Sequence, residues 1–115
     1  VVSSDLGIGL SFSNWEAPWY LGPEIREPGF SLDHHQLLAL MAPRAFLLVA
    51  GEDADGDRSW PYLNSAQEVY SLYGASDRIG MFNHRSGHAP TAEANEAAYS
   101  WFDRWLRYHL SGGVE

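Results

Sequence analysis

Two short segments hold the residues whose types and spacing could do chemistry. Asp53, Asp55 and Asp57 alternate along the acidic run Gly51-Glu52-Asp53-Ala54-Asp55-Gly56-Asp57, and His84 and His88 bracket Arg85-Ser86-Gly87. An imidazole beside a carboxylate makes an acid–base pair. The ring takes a proton from a nucleophile and returns it to a leaving group, while the carboxylate fixes the tautomer and stabilises the imidazolium. His88 is the candidate base, because Gly87 lets the loop turn sharply and a helical pattern after Pro90 would anchor it. His84 lies nearer the preceding apolar run, where it would pack or line the cleft. For the acid, a turn that must fold back toward the histidine loop favours a position a few residues beyond Gly51. All three aspartates remain candidates on that ground. Those not used would be solvated, or would cap the helix beginning near Trp60.

The elements that must position these groups alternate in type. Val1 to Asp5 reads as a short strand ending in the turn Gly7-Ile8-Gly9. The Trp- and Pro-rich stretch from Asn14 to Phe30 excludes a long regular element. Asp33 followed three residues later by Gln36 forms a capping box for a helix through Leu37-Leu38-Ala39-Leu40-Met41, which must stop before Pro43. Ala45 to Ala50 is a Leu/Val-rich run with the length of a buried strand. Trp60 to Tyr73 carries Leu63, Ala66, Val69, Tyr70 and Tyr73 at helical spacing and is stopped by Gly74. Ile79 to Asn83 is a further strand. Thr91 to Leu110 is an amphipathic helix with Ala94, Ala98, Trp101, Trp105 and Leu106 on one face. Strand and helix alternating in this way predict parallel strands joined by crossover helices. In such sheets functional residues sit in the loops after the C-terminal strand ends, the place both candidate segments occupy.

Composition narrows the partners. The 115 residues carry 15 acidic and 7 basic side chains, a net charge of −8, and every basic residue is Arg. No basic stripe exists to neutralise phosphates, so neither a nucleic-acid nor an anionic-membrane partner is expected. No apolar run approaches the ~20 residues of a membrane span. Cysteine is absent, which removes disulfides and thiolate metal sites. The run from Asp53 to Asp57 imitates a calcium loop, but Arg58 and Asn64 stand where that pattern needs Gly and Glu. His34 and His35 have no third ligand at useful spacing and suit capping and packing. No metal or cofactor is expected. Trp60 and Trp15 are candidates for lining a cleft, with core packing the competing role for each.

A hydrolytic triad needs a nucleophile as well. In the α/β-hydrolase order Ser comes first, then the acid, then His. Gly9-Leu10-Ser11-Phe12-Ser13 nearly spells the nucleophile elbow, but Ser13 replaces the last Gly, and a Trp- and Pro-rich stretch follows where a helix is needed. The nucleophile is therefore expected upstream of Val1. The opening Val1-Val2-Ser3-Ser4, without Met or signal segment, reads as a strand entered midway. The whole chain, 1–115, then reads as the C-terminal part of one α/β-hydrolase domain whose nucleophile half is missing. Loss of that half is expected to uncover apolar surface at Phe46, Leu48 and the Trp15–Trp19 segment.

The segment from Asp33-His34-His35-Gln36 to Ala42-Pro43-Arg44 resembles the approach to the acid strand in glucuronoyl esterases and related xylan esterases. Ala54-Asp55-Gly56-Asp57-Arg58-Ser59-Trp60-Pro61-Tyr62 and Asn83-His84-Arg85-Ser86-Gly87-His88 continue the likeness, and Val1 to Gly9 resembles the strand after the nucleophile helix. The resemblance implies a serine esterase acting on a carbohydrate-linked ester, with His88 as base. It places Asp55 first and Asp57 second as the acid, and implies a secreted or periplasmic location. Some members of that group carry a catalytic Glu in the turn after the first strand, where this chain has Ile8. The alternatives are another α/β hydrolase, such as a peptidase or dienelactone-type enzyme, and a non-catalytic binding module on the same scaffold.

Overall fold

The computed structural model describes residues 1–4, 7–12 and 22–107. Three strands, β1 (Val2–Ser4), β2 (Phe46–Ala50) and β3 (Ile79–Asn83), form one parallel sheet in the order β1-β2-β3. Helices α1 (His34–Met41), α2 (Trp60–Leu72) and α3 (Ala92–Phe102) flank it. The parallel strands with flanking helices are what the alternation of patterns predicts, and they are consistent with the C-terminal portion of an α/β-hydrolase sheet expected from the sequence.

Each boundary has a local cause. Asp33 and Gln36 make the expected capping box on α1, whose last residue, Met41, precedes the Ala42–Pro43 bond. Pro61 sits in the first turn of α2, where its missing N–H removes nothing a helix uses. Gly74 ends α2 at φ 66°, and the Ala75 N–H returns to the Tyr70 carbonyl. Thr91 caps α3 by accepting from the Ala94 N–H at 3.2 Å.

The central strand β2 is buried along its length, because both sides of the sheet are covered. Phe46, Leu48 and Ala50 face one side and pack with Leu38 of α1 and Leu63, Ala66 and Tyr70 of α2. Leu47 and Val49 face the other and pack with Ala94, Ala98 and Trp101 of α3. The expectation that Phe46 and Leu48 lie uncovered is thus corrected: α1 and α2 bury both. A fully buried leucine such as Leu48 stabilises the fold by about 1.5–3 kcal/mol. Tyr70, also fully buried, donates its hydroxyl to the Arg44 carbonyl at 2.7 Å and so ties α2 to the turn before β2. Burial raises its phenol above the ordinary value.

The last helix differs from its sequence reading. The α-helical register ends at Phe102, and Asp103–Arg107 continues as a wider π-type turn. Trp101 and Trp105 keep an edge contact at 5.8 Å, but Leu106 is 61% exposed rather than on the buried face. Tyr73 likewise turns outward, just past the end of α2 at Leu72. Residues 108–110 of the expected helix lie outside the described residues, as do Asp5 and the Trp15–Trp19 segment.

Candidate active site

β2 and β3 run side by side with Ala50 level with Asn83, so the chain leaves both strands at one height on the same edge. The loop after β2 begins at Gly51, and that after β3 at His84. The His84 N–H donates to the Ala50 carbonyl and the Gly87 N–H to the Gly51 carbonyl, each at 2.8 Å. The two loops therefore continue the strand pairing for a turn beyond the sheet. Gly51 must be glycine for this, since a Cβ there would overlap the Gly87 carbonyl oxygen. Gly87 sits at φ 87°, which supplies the sharp turn expected before His88.

The three aspartates have separate fates. Asp53 presents its carboxylate to His88, with Oδ2 3.8 Å from Nδ1, and both side chains are largely exposed at 63% and 76%. Asp55 is 0% exposed; its Oδ1 accepts from the Ile8 N–H at 2.9 Å and from the Ser59 hydroxyl at 3.4 Å. That bond carries the acid loop to the turn after β1. Asp57 is held by Arg85, whose Nη2 donates to Oδ1 at 3.0 Å and to Oδ2 at 2.9 Å. Arg58 lies over the Phe12 ring at 4.6 Å and donates to the carbonyls of Asp53 and Ala54, which pins the acid loop from outside.

His84 is half-buried, and its Nδ1 accepts from the Ser86 N–H at 3.2 Å, so it braces its own loop. Trp60 is 40% exposed at the start of α2. Trp15, the other residue named for the cleft, lies outside the described residues. Ser11 is exposed in a turn closed by the Phe12 N–H on the Gly9 carbonyl. His34 is buried, with Nδ1 3.2 Å from Oδ1 of Asp33, and it is Asp33, not His34, that caps α1. Among the described residues no group of three or more His, Asp or Glu side chains could hold a metal ion.

Pattern reasoning did not find the bonds that join distant segments: Ile8 to Asp55, Leu10 to Asp33, and Arg85 to Asp57. The last had a faint signal, because Arg85 is the cation of a short loop facing an acidic one.

No family model matches the chain. It is 38% identical over 82 residues to 4-O-methyl-glucuronoyl methylesterase 1 of Phanerochaete chrysosporium, a stretch covering 64% of this chain and 17% of that protein. Its structure overlays a carbohydrate esterase family 15 glucuronoyl esterase from Caldicellulosiruptor kristjansonii with a TM-score of 0.61. That match has 34% identity and covers 66% of this chain and 21% of the other. The chain resembles the α/β-hydrolase carbohydrate esterases. A methylesterase also overlays it with a TM-score of 0.55, at 24% identity over 70% of this chain and 20% of the other, which speaks for the fold alone. The chain spans about a fifth of the length of these esterases.

Proposed function

We propose that the protein is a carboxylic ester hydrolase acting on a carbohydrate-linked ester, with His88 as the general base and Asp53 as the acid that orients it. The observation that carries this reading is the approach of His88 Nδ1 to Asp53 at 3.8 Å, on loops leaving adjacent parallel strands at one sheet edge. The esterases this chain resembles support the reaction class. A glucuronate ester is the substrate favoured, because two of them are named for glucuronoyl groups. The nucleophilic serine would come from a part of the protein beyond these residues, as would the groups that hold the oxyanion. In the reaction the serine hydroxyl attacks the ester carbonyl as His88 Nε2 takes its proton, and His88 then returns that proton to the departing alcohol. The carboxylate at Nδ1 keeps the ring in the productive tautomer and stabilises the cation formed.

A second assignment of the acid rests on a different observation. Asp55 is the fully buried carboxylate, held by a backbone N–H and a hydroxyl, which is the environment of a fixed triad acid. It also reaches Ile8, at the turn where the sequence resemblance puts the acid of other esterases.

The reaction class is tested by turnover of a glucuronate methyl ester by the whole protein. His88→Ala should lower kcat by roughly 10³-fold or more, with the fold unchanged by circular dichroism, whereas His84→Ala should cost much less. Equal turnover by the parent and His88→Ala would remove His88 from the mechanism. Failure of the parent to cleave any carbohydrate ester would favour the binding-module reading.

A further inference from the structure

A polar network joins the loops after β2 and β3 beside His88. Glu52 Oε1 accepts from the Asp57 N–H at 3.0 Å and from the Asn83 side-chain amide. The Asn83 amide also reaches Asp57 Oδ1 at 3.3 Å, and its carbonyl oxygen accepts from the Arg85 N–H at 3.1 Å. Arg85 completes the ring through both oxygens of Asp57, with its other terminal nitrogen 3.9 Å from Glu52 Oε1. Glu52 at φ 67° and Arg85 at φ 56° are non-glycine residues in the left-handed region, one in each loop. Side chains rarely adopt that conformation unless their surroundings hold them there.

Glu52, Asp57 and Arg85 are exposed, and exposed ion pairs add little to global stability. Their effect must be local. The histidine loop lacks the core contacts that bury the acid loop: Ala54, Asp55 and Ser59 are buried, while Arg85, Ser86 and His88 are exposed. Among the described residues, the histidine loop is attached to the acid loop through the Gly87 to Gly51 backbone bond and through Arg85, three residues before His88.

We propose that Asp57 and Arg85, bridged by Glu52 and Asn83, are positioning residues that clasp the histidine loop to the acid loop and hold His88 at its working place. This rests on the reading of His88 as the base. It assigns Asp57 a role other than that of the triad acid. Catalysis by a positioned base falls steeply with small displacements, so a weak surface clasp can matter more for rate than for stability.

The test compares Asp57→Asn, Arg85→Gln, Arg85→Lys and the double variant Asp57→Asn/Arg85→Gln in the whole protein, on a glucuronate methyl ester. Each neutralising single change should lower kcat about tenfold with KM within about twofold, and the double variant should be no worse than about twofold below either, because one clasp is opened in each case. Arg85→Lys should recover part of the loss. Amide exchange at Gly87 should quicken by about tenfold while the melting temperature moves by no more than about 2 °C. The clasp is overturned if His88→Ala is inactive while Asp57→Asn and Arg85→Gln keep kcat within about twofold of the parent. It is equally overturned if Asp57→Asn alone costs about 10³-fold or more, which would make Asp57 the acid itself. An active His88→Ala variant sinks the base assignment first, and the clasp falls with it.

Discussion

The loops after β2 and β3 leave neighbouring strands at the same level, yet they are built by different means. The acid loop is folded into the protein: Ala54, Asp55, Gly56 and Ser59 are buried, and Asp55 is bonded to the backbone of the turn after β1. The histidine loop stands on the surface, with bonds within itself, to Asn83 at the end of β3, and across to the strand end and loop after β2. One loop owes its position to the core, the other to its neighbour. A base that transfers protons needs access to its partners, and His88 and Asp53 are both exposed at this edge, whereas the enclosed Asp55 anchors the acid loop that carries Asp53.

The sharpest way to break this comparison is to neutralise Asp53 and Asp55 separately. Asp53→Asn should lower kcat by roughly 10³–10⁴-fold with little loss of stability, since its carboxylate is exposed beside His88. Asp55→Asn should instead cost stability, about 1–3 kcal/mol in urea unfolding, because an amide is a poorer acceptor for the buried Ile8 N–H. Its kcat should stay within about tenfold of the parent. If the kinetic ranking is reversed, the buried carboxylate is the triad acid and Asp53 is a solvated neighbour.

A smaller effect should follow from adding one methyl group where the loops touch. Gly51→Ala places a Cβ against the Gly87 carbonyl, and that backbone cannot yield without shifting His88. We expect a loss of about 1–3 kcal/mol, the usual cost of overpacking, with a fall in kcat. Gly29→Ala is the control, since a Cβ there meets nothing within 4 Å, and it should stay within about 0.5 kcal/mol of the parent. Equal behaviour of the two variants would show that the histidine loop moves freely over the acid loop.

Elements governed by local chemistry were legible from residue order. The capping box at Asp33 and Gln36, the stop before Pro43, the strand Ile79–Asn83 and the turn at Gly74 each depend on a few adjacent side chains, and each is found where expected. The parallel order followed from alternating patterns. What pattern alone could not supply was the pairing of groups distant in sequence. Asp53, Asp55 and Asp57 are equivalent in composition and spacing, and only the packed loop separates one facing His88, one facing Ile8 and one held by Arg85. The exposure of Leu106 was hidden for a related reason: the α-helical period was extended across a turn that is wider than an α-helical one.

The smallest expected effect concerns Asp33, which, like Asp55, is anchored to the turn after β1. Asp33 Oδ1 accepts from the His34 N–H at 2.7 Å and the Leu10 N–H at 3.0 Å, with the His34 ring nitrogen 3.2 Å away. Partial burial acts to raise its pKa, but those backbone bonds and the His34 ring outweigh burial and hold it below the ordinary value. A carboxyl depressed in the folded state contributes stability at pH values above its unfolded pKa, and that contribution is lost as pH falls through the folded value. The parent should therefore show its full urea midpoint at neutral pH and lose part of it below about pH 4. Asp33→Asn keeps an acceptor for the two N–H groups but has no charge to titrate, so its midpoint should be lower at neutral pH and fall less on acidification. The gap between the two proteins should narrow as the pH is lowered. A gap that stays constant from neutral to acid pH would mean that hydrogen bonding alone, and not the charge, holds the β1 turn to α1.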